Sequence, residues 1–249
     1  MLREPFATGD SFLHRLDPRI RLVAALIYSC TVAVCRSFPA LWAAWGISIA
    51  MVVLSRIGIV EVFKRLLVVN GLVAFIWAVI PFTFPGEALF RIGPLSAARE
   101  GVELAAQITL KSNAIVLAFM AMVATMPFAT AGHALHRLRV PDKIVHLLLM
   151  TYRYIFVLEQ EYLRLARAAA IRGFRPGTNL HTYRTYAYLV GMLLVKAMDR
   201  ADRVRWAMLC RGFKRTFHSL QEFRTGAGSV VFSLLMAAAV AGIVALELH

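Results

Sequence analysis

Long runs of uncharged, mostly apolar residues constrain this chain more than any other feature. They cover residues 22–35, 37–55, 66–86, 112–136 and 225–246. A helix needs about 20 such residues to cross the hydrocarbon core of a bilayer, and the last three runs reach that length. Because 59% of all residues are hydrophobic, no soluble domain of ordinary size is expected. The runs predict an all-α polytopic membrane protein with about five transmembrane helices.

The positive charge of the chain is concentrated in one region. Residues 128–224 carry 17 of the 28 basic residues but only 6 of the 14 acidic ones. Basic residues beside membrane spans mark the cytoplasmic side, so this block and the basic residues before the first run predict a cytoplasmic N-terminus. The block should attract anionic membrane lipid. We do not expect nucleic acid as a partner, because no recognised nucleic-acid-reading motif accompanies the charge.

The same region contains two long helical patterns. Pro141 and Asp142 open the first, and Pro176 ends it, since proline cannot continue a helix. The second is expected to run from about Leu180 to Arg211. Both mix apolar and charged residues, which is typical of helices lying along a membrane surface and packing against other proteins. The predicted organisation is therefore transmembrane helices in 1–127, cytoplasmic-face helices in 128–224 and a final transmembrane helix in 225–249.

Each of these patterns ends in the same frame, Ala-x-x-x-Arg-Gly-Phe. Glycine just past a helix takes the left-handed conformation at little steric cost, and an arginine in the last turn complements the negative end of the helix dipole. We expect each phenylalanine to hold its helix end against an apolar surface while the arginine projects. The two frames comprise Ala168, Arg172, Gly173 and Phe174, and Ala207, Arg211, Gly212 and Phe213. A second helix about 45–50 Å long would hold the two arginines well apart.

Other local signals predict structure. Asp17 followed by Pro18 predicts the N-cap and first residue of a helix. Lys111 is expected near the outer end of the fourth span, where a lysine reaching the interface is the favoured interpretation over a functional intramembrane charge. Met120, Met122 and Met126 fit adaptable apolar packing.

Catalytic and cofactor motifs are not found. The phosphate-cradling sequence G-x-x-x-x-G-K-[ST] is missing, so the chain is not expected to hydrolyse ATP by that route. His133 and His136 have a spacing used in some metal sites, but no nearby cysteine or carboxylate completes a ligand set. We therefore predict no catalytic centre, no metal site and no cofactor in this chain.

Three motifs carry a family resemblance, and they occur in the same order over nearly the whole chain. They are residues 16–22 (Leu-Asp-Pro-Arg-Ile-Arg-Leu), residues 152–158 (Tyr-Arg-Tyr-Ile-Phe-Val-Leu) and the two Arg-Gly-Phe helix ends. Together they resemble the T component of energy-coupling factor (ECF) transporters, and within it the CbiQ branch of cobalt uptake. The chain departs from that family at Ile171 and Cys210, which stand where alanine usually precedes each arginine.

The resemblance implies the transmembrane coupling subunit of an ATP-driven importer. Its implied partners are two ABC-type ATPase subunits and a separate substrate-capture membrane subunit, with a small accessory membrane subunit in some systems. In the family, each Ala-Arg-Gly motif ends a coupling helix and its arginine inserts into an acidic groove on one ATPase. Carried over, that role belongs to Arg172 with Gly173 and to Arg211 with Gly212.

Alternatives remain open at this point. The cargo could be nickel or a vitamin such as biotin instead of cobalt. A permease domain with its own substrate path would need polar residues lining several spans, and the spans hold few. An inner-membrane enzyme acting on lipid would need a catalytic set that cannot be named.

Overall fold

The computed structural model describes Leu13 and residues 16–83, 88–92, 95–213 and 226–248. Over these residues the chain forms eight α-helices, a five-residue π-helical segment and one two-stranded antiparallel hairpin. In chain order the elements are α1 Pro18–Val34, α2 Phe38–Ser55, α3 Ile59–Thr83, β1 Ala88–Ile92, β2 Leu95–Ala98, α4 Arg99–Phe119, the π segment Met120–Ala124, α5 Phe128–Arg137, α6 Asp142–Ile171, α7 Leu180–Cys210 and α8 Ala227–Leu248. The predicted all-α fold is confirmed, and the short hairpin is an addition to it.

Four helices among the described residues are long and apolar enough to cross a bilayer. They are α2, α3, α4 continued through the π segment, and α8. The first predicted run forms α1, whose 17 residues extend only about 26 Å at 1.5 Å per residue, less than the roughly 30 Å hydrocarbon core. Two arginines, Arg19 and Arg21, also lie near its start. The chain is thus a multi-pass membrane protein, and its described ranges contain four helices of spanning length where about five were expected.

The third and fourth predicted spans have different bounds in the structure. Helix α3 begins at Ile59 and includes Lys64 and Arg65. Both residues are tolerated near the end of a membrane helix, because their long side chains can reach the polar surface of the membrane. The predicted span 112–136 is divided, because Pro127 cannot continue a helix and a separate helix, α5, follows it. Helix α4 instead begins at Arg99, so Lys111 lies near its middle, where its Nζ donates to the carbonyl of Ala33 at 3.0 Å. The expectation that Lys111 lies near the outer end of the span stays a prediction.

Small residues and a connected series of hydrogen bonds hold α1, α2 and α4 together. Tyr28 is fully buried, and its hydroxyl lies 2.6 Å from the carbonyl of Ala44 and 2.7 Å from the Ser48 hydroxyl. Ser48 in turn donates to the carbonyl of Ala114 at 2.8 Å. Because lipid cannot satisfy such groups, hydrogen bonds between helices and close contacts at small residues are the usual means of packing in a membrane.

Helix α8 closes this bundle by binding the beginnings of two early helices. The predicted N-cap at Asp17 is confirmed, since its side chain accepts from the Arg19 amide, and its own amide donates to the Ser229 hydroxyl at 3.0 Å. The Glu247 carboxylate accepts from the backbone amides of Arg36 and Ser37 at 2.8 and 2.9 Å, at the start of α2. An acidic side chain from another helix thereby satisfies amides that a helix start leaves without partners.

The chain divides into two compact units. We call residues 4–134 with 222–249 the membrane unit, and residues 1–3 with 135–221 the hairpin unit. The four helices of spanning length belong to the membrane unit, and α6 and α7 belong to the hairpin unit. The predicted start of α6 after Pro141 and the predicted extent of α7 agree with the observed bounds.

Candidate functional site: two matching helix ends

Helices α6 and α7 lie side by side in opposite directions. Phe174, just beyond α6, contacts Tyr186 near the start of α7, and Glu161 forms an ion pair with Lys196 farther along both helices. At 1.5 Å per residue the 31 residues of α7 extend about 46 Å. Arg172 therefore lies beside the beginning of α7 and Arg211 at its end, so the two arginines belong to opposite ends of the hairpin.

The end of α6 is a Schellman motif. Gly173 has a φ of 84°, in the left-handed region that favours glycine. Its amide donates to the carbonyl of Ala170 at 3.0 Å, and the amide of Phe174 donates to the carbonyl of Ala169 at 3.1 Å. These are the paired bonds that satisfy the last carbonyls of a helix in this motif.

The end of α7 repeats that geometry. Gly212 has a φ of 75°, and its amide donates to the carbonyl of Leu209 at 2.9 Å. The amide of Phe213 donates to the carbonyl of Met208 at 3.1 Å. Both glycine stops predicted from the repeated frame are confirmed, and the two copies share one backbone conformation as well as one sequence pattern.

Both arginines occupy the C-cap position and are exposed. Arg172 and Arg211 have nearly equal backbone angles, with φ of −81° and −86°. Within the described part of the chain, neither guanidinium has a side-chain hydrogen bond or an ion pair. A guanidinium offers five donors in a planar fork, so each end presents a complete binding group for a carboxylate.

The phenylalanines hold the two ends through different neighbours. The Phe174 ring meets the Tyr186 ring edge to face, with centroids 5.7 Å apart, and lies 6.2 Å from the His181 ring. The Phe213 ring lies 6.4 Å from the ring of His146, whose pKa is lowered by burial. Neither histidine belongs to a recognised sequence motif, and no spacing rule links them to the phenylalanines.

The residues on the N-terminal side of each arginine face outward. Ala168 and Ala207, one turn earlier, are exposed on the same side of their helices as the arginines. Ile171 is 87% exposed and Cys210 is also exposed, so the residues that replace the family's alanine lie on the surface of the described part of the chain. Their larger side chains leave both helix ends undistorted.

A groove of about 580 Å³ adjoins the first helix end. It is bordered by residues of both hairpin helices, among them Ala168, Arg172, Phe174, Tyr188 and Met192. The groove is mostly apolar, with the Arg172 guanidinium at its border. Along α7, from its first residue, a stripe of large apolar side chains is 61–76% exposed. This stripe consists of Leu180, Tyr183, Val190, Leu194 and Met198.

The ion pair between the two helices predicts a pH response. The hydrogen bond from Lys196, followed by the charges of Lys196 and Arg164, lowers the pKa of Glu161 from its ordinary value of 4.5. A carboxylate whose pKa is lowered by folding stabilises the folded form at pH values above its pKa in the unfolded chain. That contribution is lost as the pH falls through its pKa in the folded chain. We expect amide protection around Glu161 and Lys196 to decline as the pH drops below 4.5, measured by hydrogen exchange corrected for intrinsic rates. Glu161→Gln should remove this dependence, and an identical pH profile in that variant would refute the assignment.

Of His133 and His136, which have a spacing used in some metal sites, His136 lies next to a carboxylate. His136 Nε2 lies 3.0 Å from a carboxylate oxygen of Asp142, at the start of α6. The described ranges contain no group of three histidine, cysteine, aspartate or glutamate side chains close enough to hold a metal ion.

These features define the class of the protein as a polytopic membrane protein that carries a long helical hairpin with two equivalent arginine ends. A sequence profile described as CbiQ, cobalt transport protein, matches residues 9–222. Cobalt transport protein CbiQ of Rhodobacter capsulatus is 29% identical, over 64% of this chain and 67% of that protein. The energy-coupling factor transporter transmembrane proteins EcfT of Thermanaerovibrio acidaminovorans and Bacillus subtilis are each 26% identical, covering 97% and 96% of this chain and 94% and 96% of those proteins.

The chain belongs to the CbiQ cobalt transport protein family and is a T component of the ECF transporter type. The resemblance stated from the sequence motifs is confirmed. Its role is that of a membrane subunit in a transport complex with other subunits, and it is not an enzyme in its own right.

Proposed function

We propose that the chain couples ATP hydrolysis to import by binding two ABC-type ATPase subunits, one through each arginine end. The observation that carries this proposal is the repeated helix end: two exposed guanidinium groups, each at the C-cap of a Schellman motif, at opposite ends of one hairpin. Two equivalent binding groups fit two equivalent partners. Each acidic groove would receive one arginine, and charge-assisted, bidentate bonds would make the contacts strong and directional.

The hairpin can transmit motion between these contacts. Each helix is a continuous rod of about 30 residues, and the Glu161–Lys196 pair joins the two rods between their ends. The Phe174 and Phe213 contacts fix each helix end against the neighbouring helix. Closure of the two ATPases would then displace the helix ends relative to each other, as in other rigid-body switching mechanisms.

The substrate-capture membrane subunit is the proposed partner of the exposed apolar stripe on α7. A row of large apolar side chains is unfavourable in water and marks a protein or membrane contact. The row begins at Leu180 and ends at Met198. A small accessory membrane subunit and anionic lipid are the other proposed partners. The basic region 128–224 and the N-terminus are proposed to lie on the cytoplasmic face of the inner membrane.

Cobalt is the proposed cargo, because the matching profile and the Rhodobacter capsulatus relative are both described as cobalt transport proteins. Nickel and a vitamin such as biotin are the alternatives, since the EcfT relatives carry no cargo in their names. The captured substrate would be bound by the partner subunit, not by this chain.

Co-expression with the candidate ATPases and capture subunit tests the proposal. We expect the tagged chain to retain both kinds of partner through purification, and the complex to take up labelled cobalt only with ATP. Parallel assays with labelled nickel and biotin identify the cargo. A chain that purifies without ATPase subunits under conditions where the capture subunit stays bound would refute the coupling role.

A further inference from the structure

The membrane unit contains an irregular segment at the end of α4. Residues Met120–Ala124 form a π helix, in which the helix contains one residue more than regular α-helical bonding allows. Such segments are frequent at functional sites. Its surroundings are adaptable, because Met120, Met122 and Met126 are all buried and methionine tolerates changes of packing. The packing expected for these methionines is confirmed.

A buried positive charge binds the end of this segment. Arg21 of α1 is only 2% exposed, and its Nη2 donates to the hydroxyl of Thr125, which is 1% exposed. Among the described residues, Nε of Arg21 has no acceptor, and no carboxylate pairs with the guanidinium. A buried charge without a counterion is strongly unfavourable, so this one hydrogen bond contributes far more than a hydrogen bond on the surface.

Thr125 connects the guanidinium to the π segment itself. While its hydroxyl accepts from Arg21, it donates to the carbonyl of Ala121 at 2.8 Å. The backbone of Thr125 already leaves helical geometry, with a ψ of 5°, and Pro127 follows before α5 begins. The Thr125 hydroxyl therefore links the Arg21 guanidinium to the backbone of the π segment, and this link depends on the register of the segment.

An apolar side chain at position 21 would usually stabilise such a site at least as well as a buried charge. The best-attested use of buried polar contacts is to select one register or one state. We propose that Arg21 and Thr125 form a latch that holds the π segment in its present register. When the latch opens, the segment converts to regular α helix, and its one extra residue passes into the non-helical link of residues 125–127 that leads to α5.

The latch has a role in transport that rests on the proposed coupling function. The chain passes from the membrane unit into the hairpin unit within α5, between Ala134 and Leu135. A change in the length of the link 125–127 displaces the beginning of α5, which is the helix that carries the chain from one unit to the other. Arg21 acts here as a positioning residue, and its effect on transport is separate from binding of the ATPases.

Substitution of Thr125 tests the latch in the full chain, within the assembled complex. Thr125→Val keeps the side-chain volume and removes the hydroxyl, whereas Thr125→Ser keeps the hydroxyl. We expect the valine variant to speed hydrogen exchange of amides 121–126 by about tenfold or more, and to lower uptake per ATP hydrolysed. Co-purification with the ATPases should stay unchanged, and the serine variant should resemble the wild type in every measurement.

Arg21→Met separates a latch from a purely structural contact. Because it removes the buried charge while the Thr125 hydroxyl keeps its bond to the Ala121 carbonyl, we expect the thermal stability of this variant to match or exceed that of the wild type. Exchange of amides 121–126 should still rise and uptake per ATP should still fall. A structural contact alone would lower stability and leave uptake per ATP in the folded fraction unchanged.

The proposal is overturned if Thr125→Val leaves exchange of amides 121–126 unchanged, or if Arg21→Met transports as efficiently per ATP as the wild type. Should Thr125→Val not accumulate, Arg21→Met supplies both measurements. Failure of the wild-type chain to bind ATPases would refute the coupling function instead, and the exchange experiment would still decide whether the latch exists.

Discussion

We expect the double substitution Arg172→Glu and Arg211→Glu to abolish co-purification with the ATPase subunits. Each change places a carboxylate where an acidic groove is proposed to receive a guanidinium, so an attraction becomes a repulsion. Loss of one partner of a close charge pair at an interface typically costs about 2 kcal/mol or more, which is a weakening of about 30-fold per contact. The measurement is the ATPase content of the complex purified through a tag on this chain, with single variants expected to lie between wild type and the double variant.

The hairpin supplies a matched control for charge. Arg200 and Arg203 are exposed on α7, about three and two turns before its end and far from its beginning. Arg200→Glu combined with Arg203→Glu changes the net charge by the same amount and should leave the ATPase content near that of the wild type. An intact complex from the Arg172 and Arg211 double variant, or equal losses from both double variants, would contradict the proposed site.

Gly173→Ala and Gly212→Ala should each weaken one helix end without any steric clash. Both glycines have positive φ, and a Cβ added at either position would meet no atom within 4 Å. The expected penalty is therefore conformational, about 1–2 kcal/mol for a non-glycine residue in the left-handed region. Amides of the last turn, including those of Phe174 or Phe213, should exchange about 5–30-fold faster, and the ATPase contact at that end should weaken.

Two further substitutions make that test specific. Gly191 lies inside α7 and also has open space around its Cβ position, so Gly191→Ala should stabilise the helix by roughly 0.5–1 kcal/mol. Asparagine tolerates the left-handed conformation better than alanine, so Gly173→Asn should recover much of the loss. Faster exchange in Gly191→Ala, or no difference between alanine and asparagine at position 173, would argue against the conformational explanation.

The helix boundaries that depend on local chemistry were predictable from the sequence. Proline at a first helical position and glycine in a left-handed stop are rules about single residues and their neighbours. They located the start of α1 at Pro18, the start of α6 after Pro141 and both Schellman ends. The repeated frame follows from the same rules, because its glycine stops depend only on residues next to each other in the chain.

Boundaries that depend on the membrane and on packing were less predictable. The uncharged runs begin after Arg65 and after Lys111, whereas helices α3 and α4 both begin earlier in the chain. A long basic side chain can extend along a helix to a polar partner, as Lys111 does at the carbonyl of Ala33, so a charge does not mark the end of a span. The β hairpin and the π segment also have no signature in the hydrophobic pattern.

The candidate site was predictable in its parts and not in its contacts. The repeated frame identified Arg172 and Arg211 and the separation between them, because the length of α7 follows from residue number. The rings beside Phe174 and Phe213 depend on how α6 and α7 pack together. The link between Arg21 and Thr125 joins residues 104 positions apart, and no local rule predicts such a contact.

The contacts of α8 with the early helices have a consequence for biosynthesis. Asp17 is bonded to Ser229 and Ser37 to Glu247, across 212 and 210 positions of sequence. At translation rates of about 5–20 residues per second, roughly 10–40 s separate the appearance of each early residue from that of its partner. During this interval α1 and α2 must therefore persist without these bonds, and the bundle closes only after α8 has been synthesised.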